Sequence, residues 1–144
     1  MKISARLFLF GLAGFLALPS PTYAALPAGF EMETIAEGLT LPTAMAFAPD
    51  GRIFVAQKNG IIRIIKNGAL LPTPLLSLSD VNSYGDRGLI GMAVDPNFSS
   101  NGYLYLSYTY ENTPGANITG AKTGRIVRIT VTGDTADESS KVVL

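Results

Sequence analysis

Beyond the first two dozen residues, apolar positions do not recur at helical spacing for as long as three turns. Short runs rich in Ile, Val, Leu, Tyr and Phe alternate with Pro, Gly, Asn and Asp, which is the grammar of strands and turns. The pattern predicts strands at Glu31–Ala36, Ala44–Ala48, Arg52–Gln57, Ile61–Lys66, Leu75–Leu78, Leu89–Val94, Tyr103–Tyr110, Gly124–Val131 and Lys141–Leu144. Pro49-Asp50-Gly51, Asn59-Gly60 and Asn67-Gly68 read as tight turns, because they combine a fixed φ, side-chain bonding to the local backbone and tolerance of positive φ. Several strands are apolar on both faces. Ile53 and Val55 oppose Phe54 and Ala56, and Leu104 and Leu106 oppose Tyr103 and Tyr105. Sheets covered on both sides occur in layered sandwiches and in propellers.

An internal repeat favours the propeller. Ala44-Met45-Ala46-Phe47-Ala48-Pro49-Asp50 resembles Gly91-Met92-Ala93-Val94-Asp95-Pro96-Asn97, Phe54 maps onto Tyr105, and Ile61-Ile62-Arg63-Ile64 resembles Ile126-Val127-Arg128-Ile129. A unit of about four strands repeating every 40 to 50 residues is the propeller signature, with insertions falling in loops. The expected fold is all-β, with about two N-terminal blades. A propeller closes with about four to eight blades, so the chain reads as the N-terminal part of a longer protein. Closure by several copies of a short chain is the other option.

The first segment reads as an address. Lys2 and Arg6 precede the apolar run Leu7–Leu18, and Thr22-Tyr23-Ala24 offers a small-x-small cleavage site. A helix over that run rises about 18 Å, short of a bilayer core of about 30 Å, so no stable membrane span is expected. Residues 1–24 are therefore expected to be a signal peptide and 25–144 the folded part, in a periplasmic or secreted protein.

Composition narrows the chemistry. The chain has 144 residues and contains neither histidine nor cysteine. That excludes imidazole base catalysis and thiolate chemistry within it. Lys plus Arg and Asp plus Glu number eleven each, so no strong field recruits nucleic acid.

The stretch Gly85-Asp86-Arg87-Gly88-Leu89-Ile90-Gly91-Met92-Ala93-Val94-Asp95-Pro96-Asn97-Phe98 resembles the G-x-x-G-L-L-G-x-A-x-H-P-x-F pattern of the soluble quinoprotein glucose/sorbosone dehydrogenase family. Gly38–Gly51, Asn101–Thr109 and Thr123–Arg128 resemble its flanking strands. The resemblance implies a six-bladed β-propeller binding pyrroloquinoline quinone (PQQ) and calcium. It also implies hydride transfer from an aldose-type sugar, with an external electron acceptor. The family's histidine base, its calcium ligands and most cofactor-gripping residues lie in segments after the one matched here. No catalytic or metal residue is therefore expected in this chain, which alone should be inert. The position after the first glycine faces the family's cofactor pocket, which marks Asp86, with Arg87 beside it, as cofactor-binding candidates. Asp86 stands where the family often has Gln or Glu. Asp95 replaces the family's histidine at a turn and reads as structural. Apart from the resemblance, Asp86-Arg87 reads as a solvated loop salt bridge. Tyr103, Tyr105, Tyr108 and Tyr110 read as inter-blade packing, with sugar stacking as the other option. The long loop Glu111–Thr123 is a candidate to overhang a pocket. A non-enzymatic glycan- or protein-binding propeller is the alternative function.

Overall fold

The computed structural model describes residues 26–144; the expected signal peptide lies outside them. Residues 26–32 belong to a separate unit and form a turn in which the Phe30 amide donates to the Pro27 carbonyl at 3.1 Å.

Residues 33–144 hold two antiparallel sheets. The first contains β1 (Pro42–Phe47), β2 (Ile53–Gln57) and β3 (Ile61–Lys66), with β4 (Ala69–Leu70) and β5 (Leu76–Ser77) both paired to β3. The second contains β6 (Leu89–Val94), β7 (Tyr103–Glu111) and β8 (Lys122–Thr132), with β9 (Thr135–Ala136) and β10 (Val142–Val143) both paired to β8. Each sheet is thus a meander of three strands whose fourth place is filled by two short pieces. That is the four-strand unit the repeat predicts.

The turns form as their residues dictate. Gly51 and Gly60 take φ of +87° and +92°, and Asn67-Gly68 has positive φ at both positions, as a tight hairpin requires. The inserted Phe98–Asn101 is a single helical turn, α1, closed by left-handed Gly102.

Three expectations are corrected. Glu31–Ala36 is not a strand: among the described residues no strand pairs with it, and Met32 and Ile35 are exposed. An extended segment with unpaired amides prefers water. The terminal strand shortens to Val142–Val143, with the Leu144 amide still bonded to the Ile126 carbonyl. The third correction concerns register. Both first strands carry an irregularity at matching places, between Pro42 and Ala44 and between Leu89 and Gly91. Counting from there, Phe54 pairs with Ile64, whereas Tyr105 pairs with Arg128. The partner of Ile64 in the repeat is therefore Arg128, one residue before Ile129. Arg63 and Arg128, matched by chemistry, sit on opposite faces, because a one-residue slip reverses every side chain.

This register explains the packing. Phe54, Ala56, Ile62 and Ile64 of the first sheet are buried in one cluster with Leu104, Leu106, Tyr108, Val127 and Ile129 of the second. The first sheet's buried face in that cluster corresponds, in repeat terms, to the second sheet's outer face (Ser107, Ile126, Arg128). The sheets stack head to tail, as successive blades do.

The strands also define two ends. Turns at 48–52, 66–69, 95–102 and 132–135 gather at one end, and those at 58–60, 78–88 and 112–121 at the other. At the first end the Arg52 guanidinium joins Asp50 at 2.6 Å and Asp134 at 3.2 Å, tying the sheets together. Asp95 accepts from the Asn97 amide, Asn101 and the Tyr105 hydroxyl, at 2.8, 3.0 and 2.6 Å. Its structural reading holds.

Candidate functional site

The opposite end carries the Gly85–Gly91 stretch. The Val81 bridge to Tyr110, with the Asn82 amide on the Thr109 carbonyl and the Glu111 amide on the Asp80 carbonyl, lays residues 80–82 beside the end of β7. The chain then turns through Tyr84–Gly88 into β6. This turn is held from the first sheet. The Lys58 ammonium donates to the Gly85 carbonyl, and the Lys58 carbonyl accepts from the Leu89 amide at 3.0 Å. The Thr43 hydroxyl donates to the Leu89 carbonyl at 2.6 Å. Gly88, at φ +147°, passes so close to Lys58 that a Cβ there would lie 2.6 Å from the Lys58 carbonyl oxygen.

Asp86 is exposed at the tip of this turn. Arg87 does not pair with it. Its guanidinium crosses to the long loop and donates to the Asn117 carbonyl at 3.1 Å. The salt-bridge reading of Asp86-Arg87 is therefore replaced by a loop-to-loop bond. Tyr84 is exposed on the same turn.

Beneath the rim lies a polar network not anticipated from the sequence. Glu111 and Lys122 face each other across the neck of the 112–121 loop, 2.9 Å apart, with side chains 10% and 9% exposed. The Lys122 ammonium also donates to the Ala116 and Thr119 carbonyls, at 2.9 and 2.6 Å. Asn82, 1% exposed, donates to Glu111 at 2.6 Å and to the Asn117 carbonyl at 3.0 Å. The Lys122 bond leads the causes that hold the Glu111 carboxyl below its ordinary range. The available signal was a pair of opposite charges bracketing one loop. A buried Asn in the turn Val81-Asn82-Ser83 carries no such mark.

A second cluster sits nearby. The Tyr108 hydroxyl and the Lys141 ammonium both reach Asp80, at 3.1 and 2.7 Å. Burial leads the causes that push the Tyr108 phenol up. The tyrosines divide between roles. Tyr108 is buried between the sheets, Tyr110 packs against that cluster under Arg125, and Tyr103 lies under Arg128 on the second sheet's outer face.

A profile of the Glucose / Sorbosone dehydrogenase family matches residues 39–144. The chain belongs to that family. It is 30% identical over 118 residues to the aldose sugar dehydrogenase YliI of Escherichia coli K12, covering 81% of this chain and 32% of that protein. It superposes on a Thermus thermophilus oxidoreductase (glucose dehydrogenase) with a TM-score of 0.64 at 30% identity, over 77% of this chain and 31% of the other. The PQQ-bound aldose sugar dehydrogenase of Streptomyces coelicolor gives 0.59 at 25% identity, over 78% and 32%. The chain thus spans about a third of the length of these relatives, and its two sheets are β-propeller blades.

The donor set can be weighed against the groups the family implies. Among the described residues no group of three His, Cys, Asp or Glu side chains is placed to hold a metal ion. A quinone bearing carboxylates needs cations, and the rim turn offers the Arg87 guanidinium and the Lys58 ammonium, bonded to the Asn117 and Gly85 carbonyls, whereas Lys122 is engaged by Glu111, Ala116 and Thr119. No helix among the described residues is long and apolar enough to cross a membrane.

Proposed function

We propose that residues 25–144 form the first two blades of a six-bladed, exported, PQQ-dependent sugar dehydrogenase. The observation that carries this reading is the coincidence of the family match with an Asp86–Arg87 turn standing at the open end of the strands. When bound, the quinone supplies an electron-pair sink for hydride from the sugar. In the full-length protein, the Arg87 guanidinium holds a cofactor carboxylate. Asp86, a shorter and charged stand-in for an amide, lines the pocket edge. The proton acceptor, the calcium ligands and the remaining cations belong to other blades, so these 144 residues alone turn over nothing. The apolar run before Ala24 supports export to the periplasm or medium.

The test is dye-linked oxidation of aldoses by the full-length protein, loaded with PQQ and calcium. Turnover by the full-length protein and none by residues 25–144 supports the reading. A full-length protein that binds no quinone sinks it and leaves the glycan- or protein-binding propeller. Arg87→Met should raise the quinone Kd of the full-length protein about tenfold, the worth of one charge-assisted hydrogen bond of about 1.5 kcal/mol.

A further inference from the structure

The 112–121 loop and the Tyr84–Gly88 turn come from different connections, yet they share one acceptor. The Asn117 carbonyl receives Arg87 from the rim and Asn82 from below. That carbonyl has its place because the loop is folded around Lys122, whose ammonium donates to the Ala116 and Thr119 carbonyls and pairs with the Glu111 carboxylate. Glu111 in turn holds the loop's start, accepting from the Thr113 amide at 3.1 Å. Asn82 completes the circuit, since its side-chain oxygen accepts the Tyr84 amide at 3.3 Å. A side chain this well bonded and this buried has few other conformations available, because each bond broken leaves a desolvated partner.

We propose that Asn82, Glu111 and Lys122 are positioning residues that weld the long loop to the Asp86–Arg87 turn, so that the two form one rigid wall and Arg87 is held ready. The welding rests on geometry alone; its consequence for the quinone rests on the proposed function. The bonds of Lys122 all end on Glu111 and the long loop, so any effect on residues 84–88 must travel through Asn117 and Asn82.

The experiment is amide hydrogen exchange on the full-length protein and its Lys122→Met variant. Met keeps most of the stem and deletes the ammonium. Exchange should accelerate about tenfold or more at Ala116, whose amide bonds within the loop to Thr113. It should accelerate comparably at Tyr84 and Arg87, while Leu75, bonded to Ile62 inside the first sheet, stays slow. Acceleration at Ala116 alone, with Tyr84 and Arg87 at wild-type rates, overturns the proposal and leaves Lys122 a staple of its own loop. If Lys122→Met does not fold, Glu111→Gln, which keeps the shape and removes the charge, gives the same comparison. Quinone titration adds a cycle: Lys122→Met should raise Kd several-fold, and the double variant with Arg87→Met should be no worse than Arg87→Met alone. Independent, additive losses would also overturn positioning through Arg87. A wild-type protein that binds no quinone refutes the proposed function, while the exchange result still decides the welding.

Discussion

Gly88 and Phe54 show how narrowly single positions are specified. At Gly88, φ of +147° excludes side chains on conformational grounds, and the Lys58 carbonyl excludes them on space. Gly88→Ala should cost about 1–3 kcal/mol of strain and displace the rim turn, read as a lower urea midpoint. Phe54 is fully buried, 5.7 Å from the Phe98 ring and 5.1 Å below the Arg52 guanidinium. Phe54→Ala should cost about 3–5 kcal/mol in the same measurement, a large share of the stability of a small domain. At this scale the sequence is a good guide to burial and a poor one to polar partners. Phe54 reads as core from its strand. The partner of Arg87 is the backbone carbonyl of Asn117, in a separate loop far along the chain, which no local pattern encodes.

Among the elements, most central strands fall where alternation and turn residues place them, because Pro and Gly punctuation fixes their ends. The failures have physical causes. Glu31–Ala36 has strand-forming residues but pairs with no strand among the described residues, and strand propensity expresses itself only against a partner. The match of Arg63 with Arg128 fails because likeness of side chains says nothing about the turn that delivers a strand to its neighbour. A tight turn joins β2 to β3, whereas the long 112–121 loop joins β7 to β8. The observed register makes a sharp claim. Val127 faces the buried cluster while Ile126 faces outward at 56% exposure. In residues 25–144, Val127→Asp should unfold the second sheet, because it buries an unpaired charge. Ile126→Asp should leave the circular dichroism and the denaturant midpoint nearly unchanged. The opposite ranking would mean the register is wrong.

For the whole molecule, charge sets the response to acid. The Arg52 bond leads the causes that lower Asp50, and the Lys66 bond those that lower Asp134. Carboxyls depressed in the fold contribute stability above their unfolded values, near pH 4, and that contribution is lost as pH falls through the folded values. Stability should therefore decline below about pH 4. Asp134→Asn, at the junction of the two sheets, should be less stable at pH 7 and show a shallower acid limb in pH-dependent denaturation. Added salt should shrink the difference, since Asp134 is partly exposed. The head-to-tail stacking was legible as a repeat, but its polarity was not. Which face meets which depends on register, and register was the part the sequence misreported.

The hold of Lys58 and Thr43 on the Gly85–Leu89 turn has one more consequence. The stretch that identifies the family is shaped by residues of the preceding repeat: a carbonyl, an ammonium and a hydroxyl from the first sheet grip its two ends. Transplanted into a foreign hairpin, that stretch would arrive without its splint and lose the positive-φ Gly88 turn that presents Asp86 and Arg87. The signature marks a junction between two repeats, and the smallest portable unit that carries it is the pair of blades.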